Sequence, residues 1–92
     1  MSALALDTFD ESAHWCVSEQ VSLRDETFGA LAYHHGTRRL VFLKSRALVE
    51  LVRRLGEFDT VGAALDEMVA GDQRARYVMA LTSLRTSGLL SG

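Results

Sequence analysis

The sequence has no proline, a single cysteine, few aromatic residues and a formal net charge of only −2. Each shortage excludes something. With no proline, every turn must come from glycine or from clusters of polar residues. The lone Cys16 cannot make an internal disulfide. No apolar run reaches the roughly 20 residues that a membrane-spanning helix needs. The opening MSALALDTFDES has neither the basic start nor the long apolar core of a secretory signal. A cytoplasmic protein with no membrane partner is the expectation.

What is present suits one domain. The chain has 92 residues, 48% hydrophobic and 24% charged. At this length folding buries roughly two thirds of the unfolded chain's surface, so stability is modest. There is no internal repeat and no low-complexity segment. Charge is unevenly spread. Residues 1–26 carry six acids and one arginine, whereas residues 27–58 carry six basic residues against Glu50 and Glu57. The basic middle is therefore local, not the overall basic field usual in nucleic-acid binders.

Residues 1–13 are acidic with no sustained hydrophobic period and read as a mobile tail, leaving 14–92 as the folded domain. Loose alternation of Trp15, Val17, Val21 and Leu23 predicts a strand, ended by a turn at Arg24–Thr27. Leu31, Tyr33, Leu40, Val41 and Phe42 favour strands around Gly36-Thr37. A two-residue type II′ turn there, with glycine at its positive-φ position, sets Tyr33 opposite Leu40 and Leu31 opposite Phe42. Both faces of this hairpin are then apolar, so each should be covered.

Three helices follow. Ser45 caps one bearing Leu48, Leu51, Val52 and Leu55, ended by Gly56. Asp59 or Thr60 starts a short one with Val61, Ala64, Leu65, Met68 and Val69. Asp72 caps a third, running to about Ser87 and stopped by Gly88, with Leu89 folding back. The expected fold is α+β and winged-helix-like: a three-stranded antiparallel sheet followed by three helices.

Catalytic and metal chemistry find little support. His34 and His35 are adjacent in a strand, so they point to opposite faces and are poorly placed to share a metal. They read as polar residues of the hairpin tip, with His35 beside Arg38. His14 and Cys16 share a face, but two ligands do not make a zinc site. Cys16 lies in an apolar strand and reads as packing. Ser83 and Ser87 lack an elbow or oxyanion signature. The pairs Asp25-Glu26 and Asp66-Glu67 read as solvated, and no glycine-rich phosphate loop is present. No enzyme activity, metal or cofactor is expected.

Two binding readings remain. The third helix, with Arg74, Arg76 and Arg85, and a wing tip with Arg38 and Arg39 would suit a DNA-binding transcriptional regulator. The net acidity argues against that. The other reading is peptide binding. A strand at Arg39–Leu43 with an unpaired edge invites another strand. A peptide added there gains backbone hydrogen bonds, and side-chain pockets supply specificity. Arg38, Arg39 and Lys44 would attract an acidic peptide.

The stretch VSLRDETFGALAYHHGTRRLVFLKS, residues 21–45, resembles the mycofactocin peptide-chaperone family, a relative of the peptide chaperone of pyrroloquinoline quinone biosynthesis. The matching features are LRDETFGAL from Leu23, then Tyr33, then RRLVFLKS from Arg38. The expected element order extends the resemblance to about Leu90, with the acidic tail outside it. It implies a recognition domain that is not an enzyme. Such domains bind the leader of a ribosomally made precursor peptide as an added strand, between the third strand and third helix. They present it to a radical S-adenosylmethionine (SAM) maturase. The implied site is Arg38, Arg39, Leu40, Val41, Phe42 and Leu43 on one side. Arg74, Tyr77, Val78, Leu81 and Leu84 stand on the other, some of them core. An exposed edge also allows a homodimer. The sequence departs from the family at Arg46, where a proline is expected; either residue suits a first helical turn.

Overall fold

The computed structural model describes residues 10–91. The elements are β1 (Cys16–Val17), β2 (Val21–Glu26), β3 (Gly29–His34), β4 (Leu40–Leu43), α1 (Arg46–Arg54), α2 (Val61–Met68), α3 (Arg74–Thr86) and β5 (Leu90–Ser91). Strands β2, β3 and β4 form one antiparallel sheet in that order, and the three helices follow it, as expected. Of the segment expected to be a mobile tail, residues 1–9 lie outside the described residues. Residues 10–13 run beside α2: Val61 N donates to Ala13 O and Gly62 N to Glu11 O, both at 2.8 Å.

The strand expected from Trp15 to Leu23 is two strands. Val21 N donates to Ser18 O at 3.0 Å, closing a turn between them. β1 pairs instead with β5, Cys16 opposite Ser91 and Val17 opposite Leu90. The turn expected at Arg24–Thr27 also moves. β2 continues through Glu26, because its charged residues occupy an edge strand and find partners there. Arg24 pairs with Glu26 at 3.0 Å, and Asp25 with Arg53 of α1 at 2.7 Å. Thr27 and Phe28 make the turn, and Gly29 follows with φ +150°.

The β3–β4 register is the expected one, Tyr33 opposite Leu40 and Leu31 opposite Phe42. The turn is not. Arg38, not Gly36, takes the left-handed conformation, at φ 63°. The loop runs over four residues, His35–Arg38. It is closed by His34 N donating to Arg39 O at 2.9 Å and Arg38 N to His34 O at 2.7 Å. His34 curls the chain: its Nδ1 accepts from Gly36 N at 3.1 Å and Thr37 N at 3.0 Å. Adding one residue on each side of a two-residue turn leaves the register unchanged, so the wrong turn still gave the right pairing.

The helices stand on one sheet face. Ala30 and Ala32, both 0% exposed, leave room there for Leu51, Val52 and Leu55, Val61 and Leu65, and Leu81 and Leu84. Ser45 Oγ caps α1 through Leu48 N at 3.2 Å, and Thr60 Oγ1 caps α2 through Ala63 N at 3.0 Å. These caps satisfy amides that the first helical turn leaves without partners. Asp72 does not cap α3. It lies in a 3₁₀ turn, Gly71–Gln73, that leads into the helix with no side-chain cap. At the other end Gly88 has φ 90°, and Leu89 N returns to Leu84 O at 3.0 Å. Leu89 and Leu90 are thereby buried in the core.

The opposite sheet face is bare. Phe28, Leu40 and Phe42 are exposed there, and Leu31 and Tyr33 are half-buried beside them. The expectation that both hairpin faces are covered holds for one face only, because all three helices commit their apolar stripes to the other.

Candidate peptide-binding edge

Strand β4 is short, apolar and last in its sheet. Antiparallel pairing alternates residues that bond across the ladder with residues that point away. The bond from His34 N to Arg39 O sets the phase. Val41 and Leu43, two and four residues on, turn their backbone groups toward β3. Leu40 and Phe42 turn theirs to the open edge. The side chains alternate in step: Val41 and Leu43 face the helices, Leu40 and Phe42 the bare face. The other edge strand, β2, carries the charged run Arg24-Asp25-Glu26, the usual protection of an edge against further pairing. β4 has no such protection along its length. Its charges, Arg38, Arg39 and Lys44, stand at its ends.

Where β4 passes into α1, a cavity of about 130 Å³ lies between α1 and α3, lined by Ser45, Leu48, Arg76, Tyr77 and Ala80. Pockets for drug-sized ligands run to roughly 300–1,000 Å³, whereas a cavity near 150 Å³ holds a benzene. This one fits a single apolar side chain.

The sequence-derived site residues fall into three groups. Arg38, Arg39, Leu40 and Phe42 are exposed on the edge hairpin, and Tyr77 lines the cavity. Val41 and Val78 are half-buried and pack on the core, while Leu43, Leu81 and Leu84 are buried in it. Arg74 is occupied elsewhere: its guanidinium bonds Glu11 and, at 2.7 Å, Asp66. Those hydrogen bonds, Glu11's first, raise its pKa above the usual arginine value. Arg85 sits over the Trp15 ring at 5.6 Å. Two of the three arginines on a would-be DNA-reading helix are thus committed within the domain. Sequence reasoning missed Ser45, Leu48, Arg76 and Ala80 as cavity residues. Leu48 was assigned to α1's core stripe, and its half-burial between cavity and core has no signature in periodicity.

The histidines divide as strand alternation requires. His34 is buried. His35 is outside, edge-on to Tyr33 at 4.9 Å, with Nε2 2.7 Å from Ser22 Oγ.

Residues 14–91 match the Peptide chaperone MftB family. The chain is 46% identical to peptide chaperone MftB of Mycolicibacterium smegmatis over 84 residues, 90% of this chain and 82% of that protein. It is 39% identical to the protein of the same name from Mycobacterium ulcerans, over 97% of this chain and 83% of the relative. Identity to that of Mycobacterium tuberculosis is 39%, over 89% and 76%. No solved structure matches the chain.

Proposed function

Because the chain belongs to the peptide chaperone MftB family, we propose that it is a non-catalytic chaperone that binds the leader of a ribosomally made precursor, the mycofactocin precursor. It takes the leader as a strand added to β4 and presents it to a radical SAM maturase. The observation that carries this reading is the β4 edge: outward backbone groups at Leu40 and Phe42, no charge along the strand, and a side-chain-sized cavity at its end. The leader's backbone pairs with those two residues. One of its apolar side chains enters the cavity between Leu48 and Tyr77. Acidic residues of the leader meet Arg38, Arg39 and Arg76.

Calorimetry with a synthetic precursor from the same gene neighbourhood, beside a duplex-DNA control, tests it. One-to-one binding of the peptide alone is expected. Phe42→Pro deletes an outward N–H and should cost about 1 kcal/mol, roughly five- to tenfold in affinity. Phe42→Ala, which keeps that N–H, should cost less. Equal peptide affinity for Phe42→Pro and wild type would remove β4 as the site.

A further inference from the structure

The bare sheet face has no role in the reading above. Its centre is Leu31 and Tyr33 of β3, flanked by Leu40 and Phe42 of β4. Phe28 leans in from the β2–β3 turn, with its ring centroid 5.9 Å from that of Phe42. Phe28, Leu40 and Phe42 are 43%, 55% and 55% exposed, and no described element covers them. Contiguous apolar surface rimmed by polar residues marks an interaction site.

The rim says what kind. Arg24 stands opposite Leu31 on β2, and Arg38 and Lys44 bound β4 at either end. Arg24 is paired with Glu26, the acid that β2 places on this face, so Arg38 and Lys44 carry the uncompensated positive charge. A second copy of the chain laid on this face would set cations against cations, which costs affinity and steers encounters away. The fitting partner has an apolar patch rimmed by carboxylates. The size agrees with a passing partner. Five apolar side chains are far fewer than the roughly 20–30 residues a side of a stable interface.

We infer that the Phe28–Leu31–Tyr33–Leu40–Phe42 face is the docking surface for the maturase, through an apolar, acid-rimmed patch on that enzyme. This rests on the chaperone reading above. It places the enzyme on one side of the sheet while the leader occupies the β4 edge and the helix side.

The test uses full-length protein, its precursor peptide and the anaerobically purified maturase. Arg24→Glu lies on β2, two strands from the peptide edge, while Leu31→Lys and Phe28→Ser lie beside Phe42 but leave its outward N–H in place. Each should bind the precursor like wild type and bind the maturase about tenfold or more weakly. Circular dichroism checks the fold. Should Leu31→Lys unfold, the exposed positions Arg24 and Phe28 carry the test. Wild-type maturase affinity in Arg24→Glu and Phe28→Ser would overturn the inference. So would a wild-type dimer in sedimentation that these variants dissolve, since the face would then belong to a second copy. If the wild type binds the precursor but not the maturase, the inference alone fails. If it binds neither, the chaperone reading fails and takes the inference with it.

Discussion

At the residue scale, the side chain with the most structural consequence at the hairpin tip is His34. Its Nδ1 accepts two backbone N–H groups, so the proton of the neutral ring is on Nε2. His34→Ala leaves both amides without this acceptor. Gly36 and Thr37 are exposed, so water replaces part of the loss. A cost of about 1 kcal/mol, at the low end for a lost acceptor, is expected in urea denaturation. His34→Asn should recover most of it, because asparagine bonds the amide two residues ahead in the same manner. An equal loss in both variants would mean that ring packing, not the acceptor, matters. The sequence showed that neighbouring strand histidines diverge. It did not show that one would fold inward and rebuild the turn, because the glycine beside it supplied a more familiar explanation.

At the element scale, β4 depends on a glycine one strand of sequence before its own turn, Gly29 at the start of β3. A Cβ at Gly29 would stand 2.0 Å from Leu43 O and 2.9 Å from Ser45 N, at φ +150°. Gly29→Ala must therefore shift the end of β4 and the cap of α1. A loss on the order of 2–4 kcal/mol is expected from backbone strain and overpacking together. Thermal unfolding with the calorimetric peptide affinity beside it checks this. A neutral variant would show that β4's end is slack. Val41→Pro should unfold the hairpin rather than report on the peptide, because Val41's N–H points into the β3 ladder. The elements readable from sequence were those with local signals. Ser45 and Thr60 are helix caps, Gly88 is a stop, and the Leu31–Phe42 pairing follows from hairpin parity. Asp72 had the right chemistry for a cap but fell inside a 3₁₀ turn that pattern does not foretell. Of the proposed site, the β4 edge was legible because strand alternation is local. The α3 side was not, since Tyr77 at the cavity and Leu81 in the core share one helical stripe.

At the scale of the whole molecule, the two ends of the described chain meet. β1 pairs with β5, and Ser18 N donates to Leu89 O at 2.8 Å. Nothing near Leu90 announced this strand, because its partner is more than 70 residues earlier. Truncation after Gly88 removes Leu89 and Leu90, both 1% exposed. At about 1.5–3 kcal/mol for each buried leucine, that is a large part of the 5–15 kcal/mol a domain usually has. Loss of the cooperative unfolding transition is expected, and a cooperative transition within a few degrees of wild type would show that the β1–β5 ribbon is dispensable. Charge acts at this scale too. Arg38→Glu with Arg39→Glu reverses the basic tip, and precursor binding should become weaker and flatter against salt. An unaltered salt slope would make both arginines bystanders.

In β4 the two alternations run in phase: Leu40 and Phe42 offer their backbone to the edge and their side chains to the bare face. A strand added at the edge would hold the same two residues that a protein on the face would touch. A binder that stiffens β4 further would lower the entropy cost of the other. Were both proposed sites occupied, linkage would have the leader tighten the maturase by the same factor as the maturase tightens the leader. The loaded chaperone would be the form the enzyme prefers, and the spent one the form it releases.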